Sequence, residues 1–139
     1  MRASHLNKAL VFTSSFAAIL RKMMSKSVYL AGSFKNLEQM QDVRKTLLEA
    51  GIPTNISEPL QQNGIDGCLQ RIREADFIYI LNFSGYVGKS VAMDIGYALG
   101  LGKPVYALEP LLDPDITHLL KRVAKPDEII VELGGNSKI

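Results

Sequence analysis

The chain has 139 residues, 47% hydrophobic and 22% charged, which suits one soluble globular domain with a real core and is marginal for two. Its net charge of +2 misleads. Arg2, Lys8, Arg21, Lys22, Lys26 and Lys35 all precede the first acid, Glu38, and from Glu38 onward 10 basic residues face 14 acidic ones. No element gathers Lys and Arg as a nucleic-acid polymer would require. The single cysteine, Cys68, excludes an internal disulfide and fits a reducing, cytoplasmic compartment. No Cys/His/Asp spacing suggests a metal.

Residues 1–24 read as an N-terminal extension, basic with an apolar centre from Ala9 to Leu20. That centre is too short to span a bilayer. It has the length of a signal-peptide core, but Arg21 and Lys22 stand where a cleavage site needs small residues. A packed extra helix, a translated segment upstream of Met23 or Met24, and a targeting signal all remain open. The domain proper is expected over 25–132, with a polar tail over 133–139.

From Ser25 short apolar runs alternate with amphipathic stretches. Ser27 to Ala31 predicts a buried strand, closed by Gly32-Ser33. Lys35 to Ala50 carries Leu37, Met40, Val43, Leu47 and Leu48 at helical spacing, and Gly51 stops it. Ile52 to Ser57 predicts a short strand, Pro59 to Gly67 a loop, and Cys68 to Glu74 a helix begun near Asp66, which could cap it. Phe77 to Leu81 is continuously apolar, as a central parallel strand covered on both faces should be. Gly88 to Leu101 predicts a helix and Pro104 to Leu108 a fourth strand. Asp113 to Val123 predicts a helix, opened by Asp-Pro-Asp, and Glu128 to Val131 a last strand.

This alternation predicts an α/β fold: a doubly wound, open, parallel five-stranded sheet of flavodoxin/Rossmann-like type. The expected strand order is 2-1-3-4-5, with a ligand crevice at the carboxyl ends of strands 1 and 3. Those ends are Gly32-Ser33-Phe34 and Asn82 to Ser90.

Gly85 to Ser90, GYVGKS, invites a P-loop reading that fails on spacing. The motif needs a glycine five residues before its Gly-Lys pair, and Phe83 stands there. Gly88, Lys89 and Ser90 at a helix start still favour an anion such as phosphate. The alternative is that the glycines only turn the chain. Asp94, one turn on, sits among Val91, Met93, Ile95, Ala98 and Leu99. It serves either as compensation for the helix dipole or as a carboxylate nucleophile or base in a crevice. Gly96 and Gly100 each cost about 1 kcal/mol inside a helix, which predicts close approach of another backbone, in the sheet or in a partner subunit. Cys68 reads as a small buried hydrophobe, Tyr97 and Tyr106 as packing residues, His118 as a surface or core histidine, and Glu109 as a weak site candidate.

Val28 to Phe34 (VYLAGSF), Glu74 to Leu81 (EADFIYIL) and Ser90 to Leu108 (SVAMDIGYALGLGKPVYAL) together resemble the nucleoside 2-deoxyribosyltransferase family and its nucleotide N-glycosidase relatives. The resemblance spans about Ser27 to Leu108. It implies that the helix carboxylate, here Asp94, attacks the anomeric carbon of a 2-deoxyribosyl group, and that the covalent intermediate passes to another base or to water. It implies that Tyr29 positions the nucleophile and the sugar. Gly32, Ser33 and Phe34 would line the substrate site, and Gly88, Lys89 and Ser90 would meet the sugar or a 5′-phosphate. No cofactor is implied. Two positions depart from the family: Asp94 replaces a glutamate, and Cys68 falls where an aspartate acts on the leaving base.

Three functions are expected as alternatives. The first is an enzyme cleaving or transferring the N-glycosidic bond of 2-deoxynucleosides or their 5′-monophosphates. The second is a catalytically reduced nucleotide or sugar-phosphate sensor. The third treats the helix glycines only as an oligomer interface. The expected partners are a small nucleoside or nucleotide and a second copy of the chain, as a homodimer or higher homo-oligomer, with no membrane.

Overall fold

The computed structural model describes residues 26–57 and 64–133. The predicted extension at 1–24, most of the loop expected at Pro59 to Gly67, and all of the tail but Leu133 lie outside the described residues. The elements are β1 (Val28–Ala31), α1 (Leu37–Glu49), β2 (Thr54–Ile56), α2 (Gly64–Glu74), β3 (Phe77–Ile80), α3 (Lys89–Gly100), β4 (Val105–Ala107), β5 (Arg122–Val123) and α4 (Pro126–Glu132). The strands form one parallel sheet in the order β2-β1-β3-β4-β5, as the sequence pattern predicts.

Strand alternation divides the core in two. Val28 and Leu30 of β1 with Phe77 and Tyr79 of β3 face α1 and α4, against Met40, Leu47 and Ile129. Tyr29 and Ala31 with Ile78 and Ile80 face the other way, onto Ile72 of α2 and Val91, Ile95 and Ala98 of α3. Each face thus carries two of the described helices, and the central strands are buried on both sides. Asp76 ties the sheet's lower edge, its carboxylate accepting the Ser27 N–H at 2.8 Å.

The end of the chain departs from the sequence reading. The helix expected over Asp113 to Val123 reduces to a 3₁₀ turn at Thr117–Leu119. The Asp113 carboxylate takes the Asp115 N–H at 2.9 Å and the Thr117 hydroxyl returns to the Asp113 carbonyl, a local pattern that competes with helix. The sheet claims the next residues. Lys121 N–H donates to Val105 O and Ala124 N–H to Ala107 O, both at 2.8 Å, so the fifth strand is Arg122–Val123. The strand expected at Glu128 to Val131 is the helix α4. Pro126 opens it, the Glu128 carboxylate accepts the Lys125 N–H at 2.9 Å, and Arg122 pairs with Glu128 and Glu132. One residue, Ile129, is fully buried while Val131 is 74% exposed, which is a helical pattern. Asp66 lies in the first turn of α2, not at its cap.

Two loops meet above β3 and β4. Ser84 and Gly85 are both left-handed (φ 62° and 79°), and a Cβ on Gly85 would lie 3.2 Å from Leu112 and the Pro110 carbonyl. The buried Asn82 side chain donates to the Glu109 carbonyl at 2.8 Å and accepts the Glu109 N–H at 3.0 Å. Asn82→Ala should cost about 2 kcal/mol, since both Glu109 groups lose their partner. Urea unfolding of the two proteins at equal m-value checks this.

Candidate active site

At the carboxyl ends of β1 and β3 the chain opens a cavity of about 740 Å³. Tyr29, Gly32, Ser33, Phe34, Gly88, Lys89, Ser90 and Asp94 all line it. Two segments far apart in sequence thus meet at one place. Gly32 sits where a side chain would be crowded: a Cβ would stand 2.9 Å from the Met40 sulfur and 3.3 Å from the Leu81 carbonyl. Ser33 caps the 3₁₀ turn after β1, accepting the Lys35 N–H at 3.3 Å. Gly88 is the N-cap of α3 and has no side chain to occupy the first-turn N–H groups.

Other residues of the wall escaped the sequence reading. Lys35 joins Lys89, Ser33 and Ser90 in the lining, giving the cavity two cations. Ser57, Ile65 and Tyr86 also line it. Cys68, expected as a small buried hydrophobe, is only partly buried, and its thiol stands 3.0 Å from Ser57 Oγ in the cavity wall. Glu109 does not line the cavity; its backbone is held by Asn82. Tyr106 packs edge-on against Phe77 in the core, Tyr97 accepts a hydrogen bond from Arg73, and His118 is exposed. Among the described residues the glycines of α3 do not serve packing: a Cβ on Gly96 or Gly100 would meet nothing within 4 Å.

Asp94 is 6% exposed, and its carboxylate has no hydrogen-bond partner among the described residues. Burial pushes it up to about 7, because removing a carboxylate from water penalises the charged form. Burial is also the largest cause holding the Tyr29 hydroxyl well above the usual phenol range, opposed by its hydrogen bond to Ser57 and reinforced by the Asp94 charge. Tyr29 Oη lies 2.8 Å from Ser57 Oγ. A lone buried carboxylate beside a protonated phenol can act as nucleophile or base with a hydrogen-bond donor at hand. Among the described residues no cluster of His, Cys, Asp and Glu could hold a metal ion, and no helix is long and apolar enough to cross a membrane.

Known structures share this architecture. A 2-deoxyribosyltransferase from Bacillus psychrosaccharolyticus superposes with a TM-score of 0.58 at 18% identity, over 81% of this chain and 99% of its own. The fold is that of a 2-deoxyribosyltransferase. A CMP N-glycosidase from Clostridium botulinum gives 0.51 at 20% identity, over 78% and 98%. A conserved protein from Enterococcus faecalis gives 0.53 at 14%, over 78% and 97%. No protein-family model and no curated protein matches the sequence. Within this deoxyribosyltransferase fold, the cavity lies at the sheet's switch point between β1 and β3, where chains leave toward opposite faces.

The raised Asp94 value has a consequence for stability. A carboxyl whose folded pKa lies near 7 and whose unfolded pKa lies near ~3.9 binds more protons folded than unfolded between those values. Stability is therefore full below about pH 4 and is lost as pH rises through about 7. Asp94→Asn should raise stability by roughly 2 to 4 kcal/mol at pH 8 and change it little at pH 4, read from thermal melts at the two pH values.

Proposed function

We propose that the protein cleaves or transfers the N-glycosidic bond of 2-deoxynucleosides or their 5′-monophosphates through Asp94. The single observation that carries this reading is a buried carboxylate, unpaired among the described residues, that lines the cavity, in a fold shared with a deoxyribosyltransferase and a CMP N-glycosidase. Asp94 attacks the anomeric carbon, and the base departs. Water or a second base then takes the sugar from the Asp94 ester, giving net retention. Tyr29 supplies a hydrogen bond beside the nucleophile. Gly32, Ser33 and Phe34 flank the sugar. Lys35, Lys89, Ser90 and the uncapped N-terminus of α3 supply positive potential for a 5′-phosphate, which favours monophosphates over free nucleosides.

A binding-only role is favoured by one observation: the Tyr29 hydroxyl bonds Ser57 and not Asp94. Chromatography of each deoxynucleoside and monophosphate after incubation, with and without an acceptor base, separates the two. The enzyme releases free base, with kcat/KM rising through about pH 7 as Asp94 ionises. Asp94→Ala should lower kcat on the order of 10⁴-fold. A folded protein that is stabilised by a nucleotide but releases no base is a sensor.

We also propose that the working form is a homo-oligomer joined through the outer face of α3. Ala92, Met93, Gly96 and Gly100 are exposed there without a charge among them, and Met93 is 48% exposed. Small residues let two such helices approach closely. Light scattering of the wild type should give at least a dimer, and Gly96→Arg should shift it to monomer; an unchanged mass in the variant removes this face from the interface.

A further inference from the structure

Behind Tyr29 lies a hydrogen-bond chain that ends in a permanent cation. Arg71 Nη1 donates to Ser57 Oγ at 3.0 Å. A guanidinium cannot accept, so the direction of this bond is fixed. Ser57 Oγ then has one lone pair and one proton left for two neighbours, Cys68 Sγ at 3.0 Å and Tyr29 Oη at 2.8 Å. With the thiol donating to Ser57, the Ser57 proton goes to Tyr29, and the Tyr29 proton is released into the cavity. Among the described residues, Arg71 has no carboxylate partner and Asp94 is the only carboxylate lining the cavity.

Resting on the proposed N-glycosidic activity, we infer that Arg71, Ser57 and Tyr29 form a cation-terminated relay whose O–H holds the departing base by its carbonyl oxygen. The site is thereby suited to bases with a carbonyl next to the glycosidic nitrogen, the pyrimidines. A second carboxylate would protonate the leaving base; here a polarised donor stabilises it as an anion. As Asp94 forms its bond to the anomeric carbon, the C–N bond breaks and its electron pair passes to the ring nitrogen and adjacent oxygen, where Tyr29 donates a hydrogen bond without giving up its proton. Water then opens the Asp94 ester: the sugar keeps the hydroxyl, Asp94 regains its electron pair, and the released base takes the proton. Purines carry no carbonyl beside the glycosidic nitrogen and gain nothing from this donor. Each link of the chain polarises the next, so Ser57 and Arg71 are positioning residues that act through Tyr29.

The test is the dependence of rate on the leaving group. Full-length wild type, Ser57→Ala, Arg71→Gln and Arg71→Lys, each shown folded by circular dichroism, are given the 2-deoxy-5′-monophosphates of 5-fluorouracil, uracil, thymine, adenine and guanine. Wild type should release the pyrimidines at least about tenfold faster than the purines. Ser57→Ala and Arg71→Gln should lower kcat on the order of 100-fold for thymine and less than about tenfold for 5-fluorouracil, whose anion needs less help, with KM little changed. Arg71→Lys should recover part of the loss. Equal losses across the pyrimidines, or purines released as fast as pyrimidines, overturn the relay while leaving the N-glycosidic activity standing. No release of any base by the folded wild type overturns that activity and the relay with it.

Discussion

The pairing of β1 with β3 is the constraint on which the rest depends. The two strands run parallel in register from Val28 beside Phe77 to Ala31 beside Ile80, and the Leu81 N–H closes the pair on the Ala31 carbonyl at 2.8 Å. Above that bond the chain must leave the sheet twice. After β1 it turns to α1 on one face; after β3 it turns to α3 on the other. Two strands that end side by side and diverge cannot close the space between them, and the cavity is that space. A parallel sheet permits no hairpin there, so the opening is set by topology.

The same divergence explains the electrostatics. Asp94 sits one turn inside α3 on the face that packs toward the sheet, so it is buried and lines the cavity. Its neighbours are apolar, and the nearest polar groups are occupied with one another: Tyr29 with Ser57, Ser57 with Arg71 and Cys68. Among the described residues the carboxylate is left without a partner. In a folded core this is unfavourable, and natural proteins concentrate such groups at sites of chemistry. Lys35 and Lys89 line the same cavity, and among the described residues neither forms an ion pair with Asp94.

Periodicity reads well where packing is two-sided and long. FIYIL is apolar throughout because β3 is covered on both faces, and the helices after β1 and β3 each carry a buried stripe. It reads poorly at the sheet's far edge. There strands shorten to two residues, and a run such as EIIVE satisfies helix and strand patterns alike. A capping carboxylate and a proline made it helix, while a pair of backbone bonds to β4 made a strand of Arg122–Val123. These are decisions between near-equal local preferences, taken by tertiary hydrogen bonds.

The sequence by itself determined the alternation of strand and helix, hence the doubly wound parallel sheet, its strand order and the two loops that border the cavity. It also singled out Asp94, because one acid in an apolar helix is visible in one dimension. Only the tertiary structure decided what surrounds that acid. Ser57 meets Tyr29, and Cys68 and Arg71 meet Ser57, from 28 to 42 positions beyond Tyr29 in the chain, and no spacing rule links residues whose contact is made by a neighbouring strand and the helix packed across it. Likewise Gly96 and Gly100 signal a close contact in the sequence, but the fold shows them facing outward. Local patterns fix which face of an element is apolar; what that face meets depends on how the whole sheet is wound.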